Sequence, residues 1–180
     1  MIILMGVAGS GKSMQGKLLA DEHGYAWIST GEILRVLVTG KRRQEMLQGK
    51  LLSDEEVIKV LDKVLDLIDT RKHFVLDGFP RTVTQADWLL DQVKQGRFDI
   101  TAVIHLTASE EVVKSRLVER GRTDDTEDAI SKRFSEYRNV TLPIIDHLKS
   151  DGIDVFDIDA GQTPRAVHDQ IVHYIDNGKK

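Results

Sequence analysis

An α/β fold built on a five-stranded parallel sheet is what this sequence predicts, on three observations. Short apolar, β-rich runs alternate with amphipathic stretches, as in a sheet wrapped by crossover helices. A glycine-rich turn follows the first apolar run and leads into a helical stretch. Between Thr30 and about Val64 the alternation stops, which leaves room for a helical insertion.

The strands are expected at Met1–Met5, Tyr25–Ser29, Phe74–Leu76, Thr101–Leu106 and Asp154–Ile158, each an apolar run of strand length bounded by turn or polar residues. Helices follow at Lys12 to about His23, Thr82–Lys94, Ser109–Glu119 and Thr163–Ile175. A longer one runs from near Thr126 toward Leu148 and should bend or break around Pro143, which lacks a donor for the ladder. Thr163-Pro164 reads as a helix start, with a capping hydroxyl followed by a proline suited to the first turn. Ser53 and Glu56 have the spacing of a capping box. In the insertion, two helical stretches should flank the polar stretch Gly40–Gln44, and the flap around Gly40–Gly49 is short. Lys179-Lys180 reads as a frayed end.

At 180 residues the chain suits a single domain over 1–180 with a small insertion. With 41% hydrophobic and 30% charged residues, neither disorder nor a fibrous architecture is indicated. A formal charge of −4 argues against a nucleic-acid backbone as the main partner. The absence of Cys removes disulfides, thiol nucleophiles and Cys-ligated zinc together, and the six His are scattered, so no metal cluster emerges. No stretch is long and apolar enough to span a membrane, and Met1–Met5 is too short for a signal peptide, so the expected location is the cytoplasm.

Residues 6–13 read GVAGSGKS, which satisfies G-x-x-x-x-G-K-[ST] between an apolar strand and a helix. Backbone N–H groups of Gly6, Ala8, Gly9, Ser10 and Gly11 can curl around phosphate oxygens, and the helix N-terminus adds partial positive charge. Lys12 can reach the β and γ phosphates, and Ser13 can place its hydroxyl on Mg²⁺. Phe74-Val75-Leu76-Asp77 is an apolar strand ending in a carboxylate, where a phosphate-loop fold holds a metal ion through water. Asp before Gly is also a common turn residue, and the assignment gains weight from the loop at the same sheet edge.

Two further strings carry a resemblance: Ser29-Thr30-Gly31-Glu32-Ile33-Leu34-Arg35, and Asp77-Gly78-Phe79-Pro80-Arg81-Thr82 with Gln85 and Ala86 after it. A third runs from Arg116 through Arg120-Gly121-Arg122-Thr123-Asp124-Asp125 to Arg133 and Tyr137. In that order the chain resembles the adenylate kinases, phosphate-loop nucleoside monophosphate kinases, and most of all their short-lid forms. The residue types make chemical sense without the family. Two nucleotides meeting head to head gather many negative charges, and guanidiniums clamp phosphate oxygens in pairs. No acid, base or covalent nucleophile is evident, which suits phosphoryl transfer.

The resemblance implies a phosphate-loop core with a nucleotide-binding insertion at 30–60 and a vestigial lid at 120–126. It implies reversible transfer from MgATP to AMP, giving two ADP, in a monomer. On the ATP side it assigns the loop residues, Arg116, Arg120 and the backbone near Gly161. On the AMP side it assigns Thr30, Gly31, Arg35, Leu52, Val57, Gly78, Arg81, Gln85, Arg122 and Arg133. Lys12, Arg81, Arg120, Arg122 and Arg133 form the catalytic set, with Ser13 and, through water, Asp77 at the Mg²⁺.

Other readings stand beside these. An arginine at helical spacing can be a solvated surface residue, Thr30 suits a helix cap, and Asp124 and Asp125 fit a cap as well as a lid hinge. The chain also departs from the family pattern. Ala8 stands where Pro is common, and Ser13-Met14 where Gly-Thr is, so Met14 lacks a hydroxyl for the α-phosphate. Only Gly121 separates Arg120 from Arg122, which leaves no space for a large or zinc-bearing lid. A UMP/CMP kinase is the nearest rival, differing around Thr30 and Gln85. A nucleotide-dependent switch or slow ATPase is the more distant one.

Overall fold

The computed structural model describes residues 1–48, 52–122 and 124–177. Its centre is strand β1 (Ile2–Met5), bonded in parallel to β3 (Phe74–Asp77) on one side and to β4 (Ala102–Thr107) on the other. Strands β2 (Ala26–Ser29) and β5 (Val155–Asp159) complete the order β2-β3-β1-β4-β5. The predicted five parallel strands are therefore all present, most shifted by a residue. Since the chain moves from β1 outward to both sides, a crevice opens beyond the carboxyl ends of β1, β3 and β4, where such sheets bind ligands.

The pleat divides the core. Ile3, Met5, Phe74, Leu76 and Val103 face α4 (Asp54–Leu65), α5 (Val83–Lys94) and α8 (Pro143–Ser150), while Ile2, Leu4, Val75, Ile104 and Leu106 face α1 (Lys12–His23) and α9 (Pro164–Asn177). Strands buried on both faces read as continuous apolar runs, which is why the sequence pattern was so plain. Truncating a fully buried side chain here, Leu4 for example, costs about 2–5 kcal/mol. A third cluster, Val7 with Val113, Leu117, Ile130 and Phe134, seats the loop after β1 on α6 (Glu110–Arg120) and α7 (Glu127–Glu136).

Two expectations need correction. The polar stretch Gly40–Gln44 is not a break between helices but the start of α3 (Gly40–Leu47), so α2 (Thr30–Leu37), α3 and α4 make the insertion. Its polarity follows from position, because α3 buries no side chain. Gly49 of the expected flap and the Lys179-Lys180 end lie outside the described residues. Ser53 does precede α4, yet its hydroxyl donates to Glu56 Oε2 (2.7 Å) instead of accepting a backbone N–H, so the capping box is not formed.

The long helix after Thr126 is interrupted before Pro143, by a π turn over Tyr137–Thr141. Leu142 N–H reaches back to Tyr137 O (2.7 Å), and Pro143 then opens α8 at its first turn, where it needs no donor. The wider turn aims Thr141 Oγ1 at Arg81 O (3.0 Å) and the Tyr137 hydroxyl at His105 Nε2. Thr163 caps α9 as expected, accepting from Ala166 N (3.3 Å).

Candidate active site

The crevice is a cleft of about 590 Å³, within the range of small-ligand sites. Residues 4–15 form its floor. The loop can make that turn only because of its glycines. At Gly6, φ is 139° and a Cβ would sit 2.5 Å from Leu106 O, so any side chain would push the loop off the sheet. Gly11, at φ 100°, leaves α1 without a side-chain cap, so its first N–H groups face the cleft.

Lys12 lies back across this loop, donating from Nζ to Gly6 O (2.7 Å) and Val7 O (2.9 Å). Burial pulls its pKa down to about 8, Asp77 opposes that shift, and Arg81 and Arg120 add to it. Phosphate oxygens would restore the charge, so binding must take up a proton wherever the empty site has lost one. The sign follows directly: the bound form has the higher pKa, so affinity is full below about pH 8 and declines above it. We expect ADP binding at about pH 8.5 to take up a large fraction of a proton, and at about pH 7 almost none. Calorimetry in two buffers of different ionisation enthalpy measures this, and equal heats at pH 8.5 would refute it.

Asp77 ends β3 beside the loop and is 3% exposed. Its Oδ2 accepts from Ser13 Oγ (2.7 Å), which brings the two predicted metal-side residues together. Both are hard oxygen donors, as Mg²⁺ prefers. Thr30 Oγ1 donates to Asp77 O (3.1 Å) and Gly78 O (2.9 Å), so it ties α2 to β3 and is not a helix cap; Ser29 holds the cap position.

The arginines converge from three directions. A Cβ on Gly31 would lie 3.6 Å from Arg35 Nη2 and 3.8 Å from Arg81 Nη2, so two guanidiniums flank one point above Gly31. Arg81 Nε is fixed by Gly78 O (2.8 Å). Burial, with Arg122 beside Arg35 and Arg133 beside Arg81, holds both guanidiniums below their usual pKa.

Arg120, Arg122 and Arg133 are held by carboxylates. Arg120 grips Asp125 with two bonds (2.9 and 2.7 Å), Arg133 reaches Asp125 (2.8 Å) and Asp124 (2.5 Å), and Arg122 lies 3.5 Å from Glu32. Asp124 and Asp125 are thus neither caps nor bystanders; Thr126 caps α7 through Ala129 N (3.3 Å). Burial alone would raise the Asp125 pKa, but Arg120 and Arg133 outweigh it and hold it below the usual carboxylate range.

Gln85 is 2% exposed and already engaged: Oε1 accepts from Arg81 N (2.8 Å) and Nε2 donates to Asp54 Oδ1 (2.8 Å). One N–H and one lone pair remain for a base. Leu52, Val57, Gly78, Arg116 and the half-exposed Met14 also line the cleft, with Met46, Glu119 and Tyr137, which sequence reasoning left out. Gly161 does not line it. Its N–H bonds Asp159 Oδ1 (2.8 Å), and its neighbours Ala160 and Gln162 form that wall. Tyr137 begins a chain through the buried His105, its hydroxyl on the ring, whose Nδ1 bonds Oδ1 of the exposed Asp157 (2.5 Å). Burial, with Asp157 beyond, pushes the Tyr137 pKa up to about 12, so it stays a neutral donor.

Residues 4–153 match the family model described as adenylate kinase. Among curated proteins, the chain is 39% identical over 152 residues to an adenylate kinase of Corynebacterium urealyticum, covering 81% of this chain and 84% of that protein. It is 38% identical over 167 residues to one of Nitrobacter hamburgensis, covering 84% and 80%. To that of Phocaeicola vulgatus it is 35% identical over 161 residues, covering 84% and 85%.

Proposed function

Since the chain belongs to the adenylate kinase family, and is an enzyme that passes a phosphoryl group between ATP and AMP to give two ADP, we propose a division of labour among its residues. The carrying observation is the pair of anion-binding poles in one cleft: the loop around Lys12, and the Arg35–Arg81 pair above Gly31. A switch or ATPase needs only the first.

ATP lies with its phosphates on residues 6–14 and its base toward Arg116 and the loop near Gly161. AMP lies with its phosphate between Arg35 and Arg81, and its base among Thr30, Gln85, Leu52 and Val57. Ser13 and Asp77 hold Mg²⁺, the latter through water; when bound, the ion screens charge on the phosphate oxygens. Lys12, Arg120, Arg122 and Arg133 surround the group in transit, and their charge is the main catalytic contribution. Residues 30–60 act as the acceptor flap and 120–126 as a short lid, and their closure excludes water. Thr123 of that lid lies outside the described residues. The net charge of −4 supports small nucleotides over nucleic acid as partners. Among the described residues no helix is long and apolar enough to cross a membrane, in keeping with a cytoplasmic monomer.

The test is a titration with a mimic joining two adenosines through five phosphates, which should bind far more tightly than ATP because it fills both poles at once. Affinity no better than that of ATP would refute two poles, and CMP or UMP outperforming AMP would favour a pyrimidine kinase. The two base sites also differ. The acceptor base meets the hydrogen-bonding groups of Gln85 and Thr30, whereas the donor base meets Arg116, and stacking tolerates any base. GTP should therefore replace ATP with a smaller loss in kcat/KM than GMP suffers in replacing AMP. Four specificity constants at matched magnesium decide it; equal or stricter donor selection would overturn the assignment.

A further inference from the structure

The fold brings together three side chains that sequence spacing kept apart. Glu22 and His23 end α1, His168 lies in α9, and their ligand atoms fall within 4.8 Å of one another. None of them lines the nucleotide cleft. Two of the six His, scattered along the sequence, thus meet across a helix pair.

His168 is fully buried, and its two ring nitrogens have different surroundings. On one side lies Gln15 Oε1, 3.2 Å from Nδ1. The Gln15 amide is oriented by its other end, where Nε2 donates to Pro164 O (2.9 Å), a carbonyl that can only accept. Oε1 therefore faces His168, and Nδ1 carries the proton that bonds it. That leaves Nε2 with a lone pair, buried and without a hydrogen-bond partner, 3.3 Å from Glu22 Oε2. A buried lone pair this close to a carboxylate is unfavourable, and a cation shared by the two, a metal ion or a second ring proton, relieves it.

We propose that Glu22, His23 and His168 bind a borderline divalent transition metal, Zn²⁺ above all, clasping α1 to α9 outside the nucleotide cleft. The geometry fits that ion. Tetrahedral bonds of about 2.0–2.2 Å place neighbouring ligand atoms about 3.3–3.5 Å apart, the separation of His168 Nε2 from Glu22 Oε2. In such a site the neighbouring oxygen lies off the nitrogen–metal axis, which accounts for a close contact that is not aligned as a hydrogen bond. Two of the three ligands also have the supporting partners that metal sites use. Gln15 fixes the His168 tautomer, and Arg165 Nη1 holds the other oxygen of Glu22, Oε1 (2.7 Å), which leaves Oε2 for the ion. The His23 ring stacks on Tyr25, with centroids 5.3 Å apart, and is exposed, so it can turn the remaining distance. Water takes the fourth position. Two imidazoles and one carboxylate suit zinc far better than Mg²⁺, so the cation of the reaction does not compete.

The experiment uses the full chain freed of metal by chelation. Calorimetric titration with Zn²⁺ should give one saturable equivalent, Co²⁺ should give the intense visible bands of a tetrahedral complex, and Zn²⁺ should raise Tm by several degrees. His23→Gln and Glu22→Gln change exposed side chains away from the cleft. Each should weaken Zn²⁺ at least about tenfold and abolish the Tm rise, with ADP formation unchanged. Absence of a saturable equivalent in the unaltered chain overturns the proposal and leaves a protonated His168 paired with Glu22. Retention of the equivalent in both variants overturns it as well, placing the metal elsewhere.

Discussion

Lys12→Met lowers kcat for ADP formation by about two to three orders of magnitude, the usual effect of removing one preorganised charge from a developing anion. The fold should be indifferent. The ammonium makes two bonds to loop carbonyls, worth about 1 kcal/mol each, and is attracted by Asp77, but its charge is buried, and relief of that burial and of the repulsion from Arg81 and Arg120 offsets the loss. Tm should therefore move little while turnover collapses. Near-normal turnover would remove the phosphate loop from the mechanism, and a large fall in Tm would make Lys12 a structural residue.

Asp125→Ala should do the reverse to the empty enzyme, destabilising it by about 3–5 kcal/mol. The Asp125 side chain is 2% exposed and satisfies both Arg120 and Arg133, so its removal leaves Arg120 without a counter-charge and Arg133 with Asp124 alone. Phosphate oxygens can take its place, and the bisubstrate mimic should recover much of the lost Tm. Acid reproduces the effect. The native pKa of Asp125 lies below its unfolded value, so its contribution is complete above about pH 4 and vanishes as the pH falls through the native value. Unchanged thermal stability in the variant, or a deficit that ligand leaves untouched, would show that the carboxylate is not the stand-in for phosphate proposed here.

What the sequence revealed and what it hid divide along chain distance. Strands β1, β3 and β4 were legible because burial on both faces makes them nearly continuous apolar runs, and the glycine-rich loop because its glycines, Lys12 and Ser13 lie within eight residues. Arg35 and Arg81 were named from local strings, but that they meet above Gly31 is a product of the β2–β3 pairing. The partners of the site were hidden for the same reason. Asp54 holds Gln85 from the insertion, Glu32 meets Arg122 across the cleft, and His105 joins Tyr137 only because a π turn replaces the expected bend at Pro143. Polar contacts of this kind leave no periodicity. Asp124 and Asp125 looked like a cap because carboxylates before a helix commonly are, and only distances distinguish a cap from a clamp.

The place of β1 in the sheet has a consequence on the timescale of hydrogen exchange. Its amides are laddered from both sides and buried on both faces, so they should exchange only when the whole molecule unfolds. Helix α3, which buries no side chain, can open alone and should exchange orders of magnitude sooner. The loop proposed to receive ATP is thus tethered to the slowest-exchanging segment of the chain, while the segment proposed to cover AMP belongs to the fastest, and deuterium would enter the two halves of one cleft at separate rates.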